Sequence, residues 1–176
     1  PVLKETAATS PPGTVRITWA ASSAVELAPT GGVEFESDGG VKIYDDPQKD
    51  YSQSKAANIL LAFETARHYG ADGIVSVAWN PGNLKSGLQR HVGQLGSWLL
   101  EKIMLYPAVF GAYTVLYAGW SGDITQENNG AYIVPWGQFG IVRADIEAGR
   151  RGTEEGGSGT AARFWEWCVE STKPYV

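Results

Sequence analysis

Tyr51-Ser52-Gln53-Ser54-Lys55-Ala56-Ala57-Asn58-Ile59-Leu60-Leu61 reads as one turn after another of a single helix. Ala56, Ile59, Leu60, Phe63 and Ala66 or Arg67 keep three- and four-residue spacing, and Gly70 follows as a stop. The pattern predicts a helix over residues 51–68 with Asp50 as its N-cap. On either side stand apolar runs that lack this period. Val15 to Ala20 and Ile74 to Trp79 are rich in β-branched and aromatic residues, and each reads as a short buried strand. Strand, helix and strand in that order imply a right-handed crossover in a parallel sheet.

Working outward, Ser10-Pro11-Pro12-Gly13 is a turn signal before the first strand. Residues 26 to 50 hold no apolar period and many turn formers, Asp45 and Asp46 among them, and read as a long loop. Asn80-Pro81-Gly82 ends the second strand, and Gly130 to Pro135 holds a third, near 131–134. The uncharged stretch Ile103 to Trp120 is long enough to span a membrane, but Pro107 and Gly111 interrupt it. Two helices broken near Pro107 are expected instead, with no membrane span. Residues 149–159 form a glycine-rich flexible loop. Ala161 to Glu170 is a closing helix with Phe164, Trp165 and Cys168 in one packing stripe. Pro1 to Ala8, which lacks an initiator Met, has the spacing of a helix tail whose beginning lies upstream.

At 176 residues, 43% hydrophobic and 19% charged, the chain is sized for one globular domain. A net charge of -5 would repel a phosphate backbone, so nucleic acid is not an expected partner. The lone Cys168 excludes an internal disulfide, and His68 and His91 alone do not make a histidine-rich metal site. No apolar secretory segment stands in the first thirty residues, and the expected compartment is the cytoplasm. His91 and Lys85 read as solvated side chains rather than as ligands.

Chemistry enters with Tyr51 and Lys55, four residues apart on one helical face. A phenol of ordinary pKa near 10 is a poor acid at neutral pH, and a neighbouring ammonium favours its phenolate. Proton exchange with a substrate oxygen then comes into reach. The first strand ends in Ala21-Ser22-Ser23, so hydroxyls emerge at the carboxyl end of a parallel strand, the usual ligand side of such sheets.

A serine after a buried strand, then Tyr51-x-x-Ser54-Lys55-Ala56-Ala57-Asn58, then Asn80-Pro81-Gly82-x-x-x-Ser86, resembles the short-chain dehydrogenase/reductases. The long loop before Tyr51 and the Ala57 to Leu61 run are most similar to the retinol-dehydrogenase-like branch. The resemblance implies that Tyr51 exchanges the proton, that Lys55 lowers its pKa and holds the nicotinamide ribose, and that Ser22 hydrogen-bonds the substrate oxygen. Ser23 is the alternative, because the serine run leaves the register open by one residue. It further implies that Pro81 and Gly82 lie against the nicotinamide of NADP or NAD, with Leu84 and Ser86 on its carboxamide side. Residues 84–110 would form the substrate lid.

The family's glycine-rich dinucleotide turn is missing, as are the Asn-Asn-Ala-Gly segment and the tetrad asparagine. The expected fold is therefore an α/β, partial Rossmann-like one, a parallel sheet flanked by helices with the first strands and helices missing. Residues 1–176 would be the C-terminal part of a single domain, with binding of the cofactor by this chain alone in doubt. The strand at 15–20 would then stand at an open sheet edge.

Three functions follow. The first is an oxidoreductase acting on a carbonyl or secondary alcohol of a lipophilic molecule. The second uses Tyr51 for non-redox proton transfer in an isomerisation, dehydration or cyclisation. The third is a non-catalytic binding protein. Trp98, Tyr106, Phe110 and Tyr113 suit an aromatic or lipophilic substrate. The family's helix at this position packs against a second subunit, and alanines with Phe63 on its surface-prone side fit the implied homodimer.

Overall fold

The computed structural model describes residues 1–85 and 105–175. The residues between them, on which most of the expected lid falls with Ser86, His91 and Trp98, lie outside the described residues. Helix α1 (Val2–Thr9) precedes strand β1 (Arg16–Ala20), helix α2 (Pro47–Tyr69) and strand β2 (Val75–Trp79). Helix α3 (Val109–Trp120), strands β3 (Tyr132–Val134) and β4 (Gln138–Phe139), and helices α4 (Ala144–Ala148) and α5 (Thr160–Thr172) complete the order. The sheet runs β1-β2-β3-β4, parallel as far as β3. β4 turns back antiparallel on β3, so the sheet is mostly parallel rather than wholly so. Two residues are too short to show a period of two, which is why the sequence did not reveal β4.

β2 is covered on both faces. Val75 and Val77 pack with Ala118 of α3, Ile124 and Ile133, while Ala78 joins Ile59, Leu60 and Phe164 on the α2 side. A strand buried this way shows a continuous apolar run rather than alternation. Ser76, also fully buried, is satisfied by the Trp19 indole N–H at 3.0 Å.

α2 begins four residues before the predicted helix. Pro47 occupies its first turn, where a missing N–H does no harm, and the Asp46 carboxylate accepts from the Gln48 and Lys49 amides at 3.0 and 3.3 Å. Asp50 is not the cap; its carboxylate accepts from the Tyr44 amide at 2.8 Å instead. The first turn is polar, so no apolar spacing marked it.

A second correction concerns the outer side of α2. Ala57 and Ala62 are buried in the core beside Ala56 rather than presented on the surface. Phe63 lies beneath the Arg150 guanidinium, 4.2 Å from its ring centroid. The small residues let the turn after β1, the sheet and α5 approach this helix closely.

The segment before α2 is tied down rather than loose. The Gln53 side chain accepts from the Glu34 amide at 2.9 Å and donates to the Lys42 carbonyl at 2.7 Å. Residues 149–159 form a loop with a 3-10 turn at Thr153–Glu155. The Ser158 and Gly159 amides close it onto Ala148 and Arg151 at 3.0 and 2.9 Å.

α3 starts just beyond Pro107, where the sequence places the break; the expectation of a helix before it falls on residues outside the described ones. Among the described residues no helix is long and apolar enough to cross a membrane. In α5, Phe164 and Cys168 face the core, whereas Trp165 leaves the predicted stripe and stacks on His68 at 4.7 Å.

Candidate active site

The carboxyl ends of the parallel strands β1, β2 and β3 lie on one side, and the described sequence-predicted residues stand at that side. β1 is an edge strand. The Ala21 amide donates to the Trp79 carbonyl at 2.8 Å, so Ala21 faces β2 and Ala20 faces the open edge. Lys55 Nζ and Asn58 Nδ2 reach the Ala20 carbonyl at 3.2 and 2.8 Å, which anchors this face of α2 to the end of β1. One turn earlier, the half-exposed Tyr51 ring has its centroid 5.4 Å from Lys55 Nζ. The pair predicted from spacing is thus brought together, with the ammonium fixed from behind by a backbone oxygen.

Ser22 caps the 3-10 turn Ser23–Leu27, its hydroxyl oxygen accepting from the Ala24 amide at 3.1 Å. That bond uses a lone pair and leaves the O–H free to donate. Ser23 instead lines a cleft of about 200 Å³ with Pro81, Gly82, Leu84, Phe110 and Trp136. Ser22 and Ser23 therefore take different places, one beside the cleft as a cap and one in its wall. Tyr51 is not among the residues lining this cleft.

The Asn80-Pro81-Gly82 turn is held by its own side chain, with Asn80 Oδ1 accepting from the Gly82 amide at 2.9 Å. Gly82 has φ +84°, and a Cβ there would stand 2.7 Å from Pro135 Cγ. Both the backbone and the neighbouring chain require glycine. Leu84 pairs in parallel with Tyr106, through Lys85 N–H to Tyr106 O and Tyr106 N–H to Asn83 O, both at 2.8 Å. A Leu84 methyl occupies the space of a side chain at Gly111, so the start of α3 lies directly against this turn.

Two residues that the sequence did not point to complete the site. Tyr132, buried on β3, donates from its hydroxyl to the Ser22 carbonyl at 3.2 Å. Burial pushes its pKa up to about 12 against an opposing hydrogen bond with Asn80, so it is a neutral donor and a poor proton source. Trp136 presents its indole to Tyr106 and Phe110, with ring centroids 5.0 and 5.2 Å away. The one signal that could have pointed to it is Pro135 and Gly137 on either side, which suit a turn but say nothing about where the ring goes.

No family model matches the chain. It is 44% identical over 182 residues to a short-chain dehydrogenase/reductase of Phomopsis amygdali, an alignment covering 100% of this chain and 54% of the relative. A short-chain dehydrogenase/reductase of Pestalotiopsis fici is 40% identical, with 100% of this chain and 52% of the relative covered. The chain spans about half the length of the curated relatives it matches. A crystal structure of an uncharacterized protein from Mycobacterium Paratuberculosis has the same fold, at a TM-score of 0.55 and 22% identity over 90% of this chain and 50% of that one. With fungal relatives at this identity matching it from end to end, the chain belongs to the short-chain dehydrogenase/reductase family.

Proposed function

We propose that this chain carries the proton-transfer half of an NADP- or NAD-dependent oxidoreductase. Its substrate would be a carbonyl compound or the matching secondary alcohol on a lipophilic, ring-bearing molecule. The observation that carries the reading is the Tyr51–Lys55 pair, anchored to the Ala20 carbonyl at the carboxyl end of β1. In reduction, the Tyr51 hydroxyl gives its proton to the carbonyl oxygen; in oxidation it takes the proton back. The Lys55 ammonium stabilises the phenolate left behind, and the Ser22 O–H supports the same oxygen, with Ser23 as the alternative.

The residues present fit the nicotinamide end of a coenzyme. Pro81, Gly82 and Leu84 line the cleft at the carboxyl end of β2, where the nicotinamide would lie; Ser86 is proposed there by the same resemblance. When bound, the coenzyme supplies or accepts hydride. The phosphate-cradling glycine turn has no counterpart in the sequence, so weak coenzyme binding is expected from this chain by itself. The walls of the cleft beyond that turn, Tyr106, Phe110 and Trp136, are aromatic and suit a ring-bearing substrate.

The test is coenzyme-dependent turnover of aryl ketones by the full polypeptide containing this sequence, followed at the nicotinamide absorbance band. Tyr51→Phe is expected to abolish turnover while fold and ligand binding stay intact. Turnover that survives in that variant removes the reading. A second reading rests on the Tyr51–Lys55 pair alone: the two serve a coenzyme-free isomerisation, dehydration or cyclisation. Product formation without added coenzyme, abolished by Tyr51→Phe, would select it.

A further inference from the structure

Trp136 is the one non-glycine residue with positive φ among the described residues, at 71°. A bulky side chain is disfavoured in that region, and a turn tip there calls for glycine or asparagine. The turn is nevertheless locked. Pro135 fills the space a Gly82 side chain would need, and a Cβ on Gly137 would stand 3.0 Å from the Tyr117 ring of α3. The backbone therefore holds the indole in one place, against the preference of its own residue.

Core packing does not explain the indole, which is 53% exposed. It stands near right angles to its neighbours, 78° to Tyr106 and 82° to Phe110, and Tyr106 and Phe110 stand at 79° to one another. Three mutually perpendicular rings make a corner rather than a stack, and a corner leaves a ring face open to a further planar group. All three line the same cleft as Ser23 and Gly82. Strain at an exposed aromatic in a cleft marks a side chain retained for what it contacts.

We infer that Trp136 is a specificity-determining residue, the wall on which a planar aromatic ring of the substrate stacks, which makes the substrate an aryl ketone or its carbinol. This rests on the oxidoreductase reading of the same site. Saturated cyclic ketones of equal size would enter the cleft without that contact.

The test is a binding titration of the chain by NMR with acetophenone and with cyclohexyl methyl ketone, which have the same skeleton but only one flat ring. The wild-type chain is expected to prefer acetophenone by roughly three- to tenfold, the range of one aromatic contact. Trp136→Phe keeps the preference and Trp136→Leu erases it. Trp136→Gly also erases it while holding or raising the melting temperature, because glycine relieves the φ of this position. A Trp136→Leu or Trp136→Gly variant that folds and retains the preference overturns the inference. So does a wild-type chain that binds both ketones equally or neither. The readout is binding and not turnover, so failure of the oxidoreductase reading shows separately, as activity that Tyr51→Phe leaves in place.

Discussion

The hydroxyl of Tyr132 on β3 donates across 3.2 Å to the carbonyl of Ser22, just beyond β1, although β1 and β3 are not neighbours in the sheet. β2 lies between them, so the bond bridges the carboxyl end of the sheet over the Asn80 turn. It holds the peptide joining Ser22 to Ser23, on which both candidate hydroxyls depend. Tyr132→Phe removes the donor and leaves that carbonyl without it, a loss of about 1 kcal/mol in unfolding free energy. Turnover should fall more than this stability loss suggests, through kcat rather than KM. Denaturant unfolding and steady-state kinetics check both expectations.

Tyr51 and Lys55 separate catalysis from stability in a similar way. Tyr51 is half-exposed and touches no core cluster, so Tyr51→Phe should leave the melting temperature unchanged and lower turnover by roughly 10²- to 10⁴-fold. Lys55→Met should lower turnover to a comparable degree. Its structural effect should be small, because Asn58 still reaches the Ala20 carbonyl at 2.8 Å. Far-UV circular dichroism of the two variants, set beside their rates, makes the comparison.

What the sequence disclosed follows from which forces are local. The strand at β2 was legible because burial on both faces forces a continuous apolar run, whereas β1, half-buried along its length, was legible from its β-branched and aromatic residues. The Tyr51–Lys55 contact was legible because helical geometry alone brings residues four apart together. The first turn of α2 was hidden because Asp46 and Pro47 act through backbone capping, which leaves no apolar mark. The burial of Ala57 and Ala62 was misread because small residues look alike on a surface and in a close helix contact. Trp136 was invisible as a site residue because the direction of its ring is set by Gly82 and Tyr117, both far away in sequence.

Gly82 is expected to be among the least replaceable residues of the cleft. Gly82→Ala combines an unfavourable φ of +84° with a Cβ 2.7 Å from Pro135 Cγ. Gly39→Ala is the matched control, with φ +89° and nothing within 4 Å. The control should lose about 1 kcal/mol from backbone strain alone. Gly82→Ala should lose clearly more, and should shift the Pro135-Trp136 turn with it. Equal losses in the two variants, by urea denaturation, would show that the collision with Pro135 relaxes freely.

Asp145 gives the site a pH-dependent support from behind. The Arg143 guanidinium, at 2.6 Å, holds the Asp145 carboxyl well below the usual carboxylate range, and the Gly31 amide donates to it at 2.8 Å. The same guanidinium donates to the carbonyls of Val25, Glu26, Ala28 and Pro29, so it fastens the segment that follows Ser22 and Ser23. A carboxylate whose folded pKa is depressed contributes stability in full above its unfolded pKa of about 3.9. That contribution fades as pH falls below this value toward the folded pKa. Asp145→Asn should therefore be less stable than wild type by a constant margin from about pH 5 to pH 7. Below about pH 4 the margin should shrink, because the wild-type carboxyl is losing the same interaction. Melting temperatures of the two proteins across this range test the sign, and a margin that widens in acid would be incompatible with an Arg143-paired carboxylate.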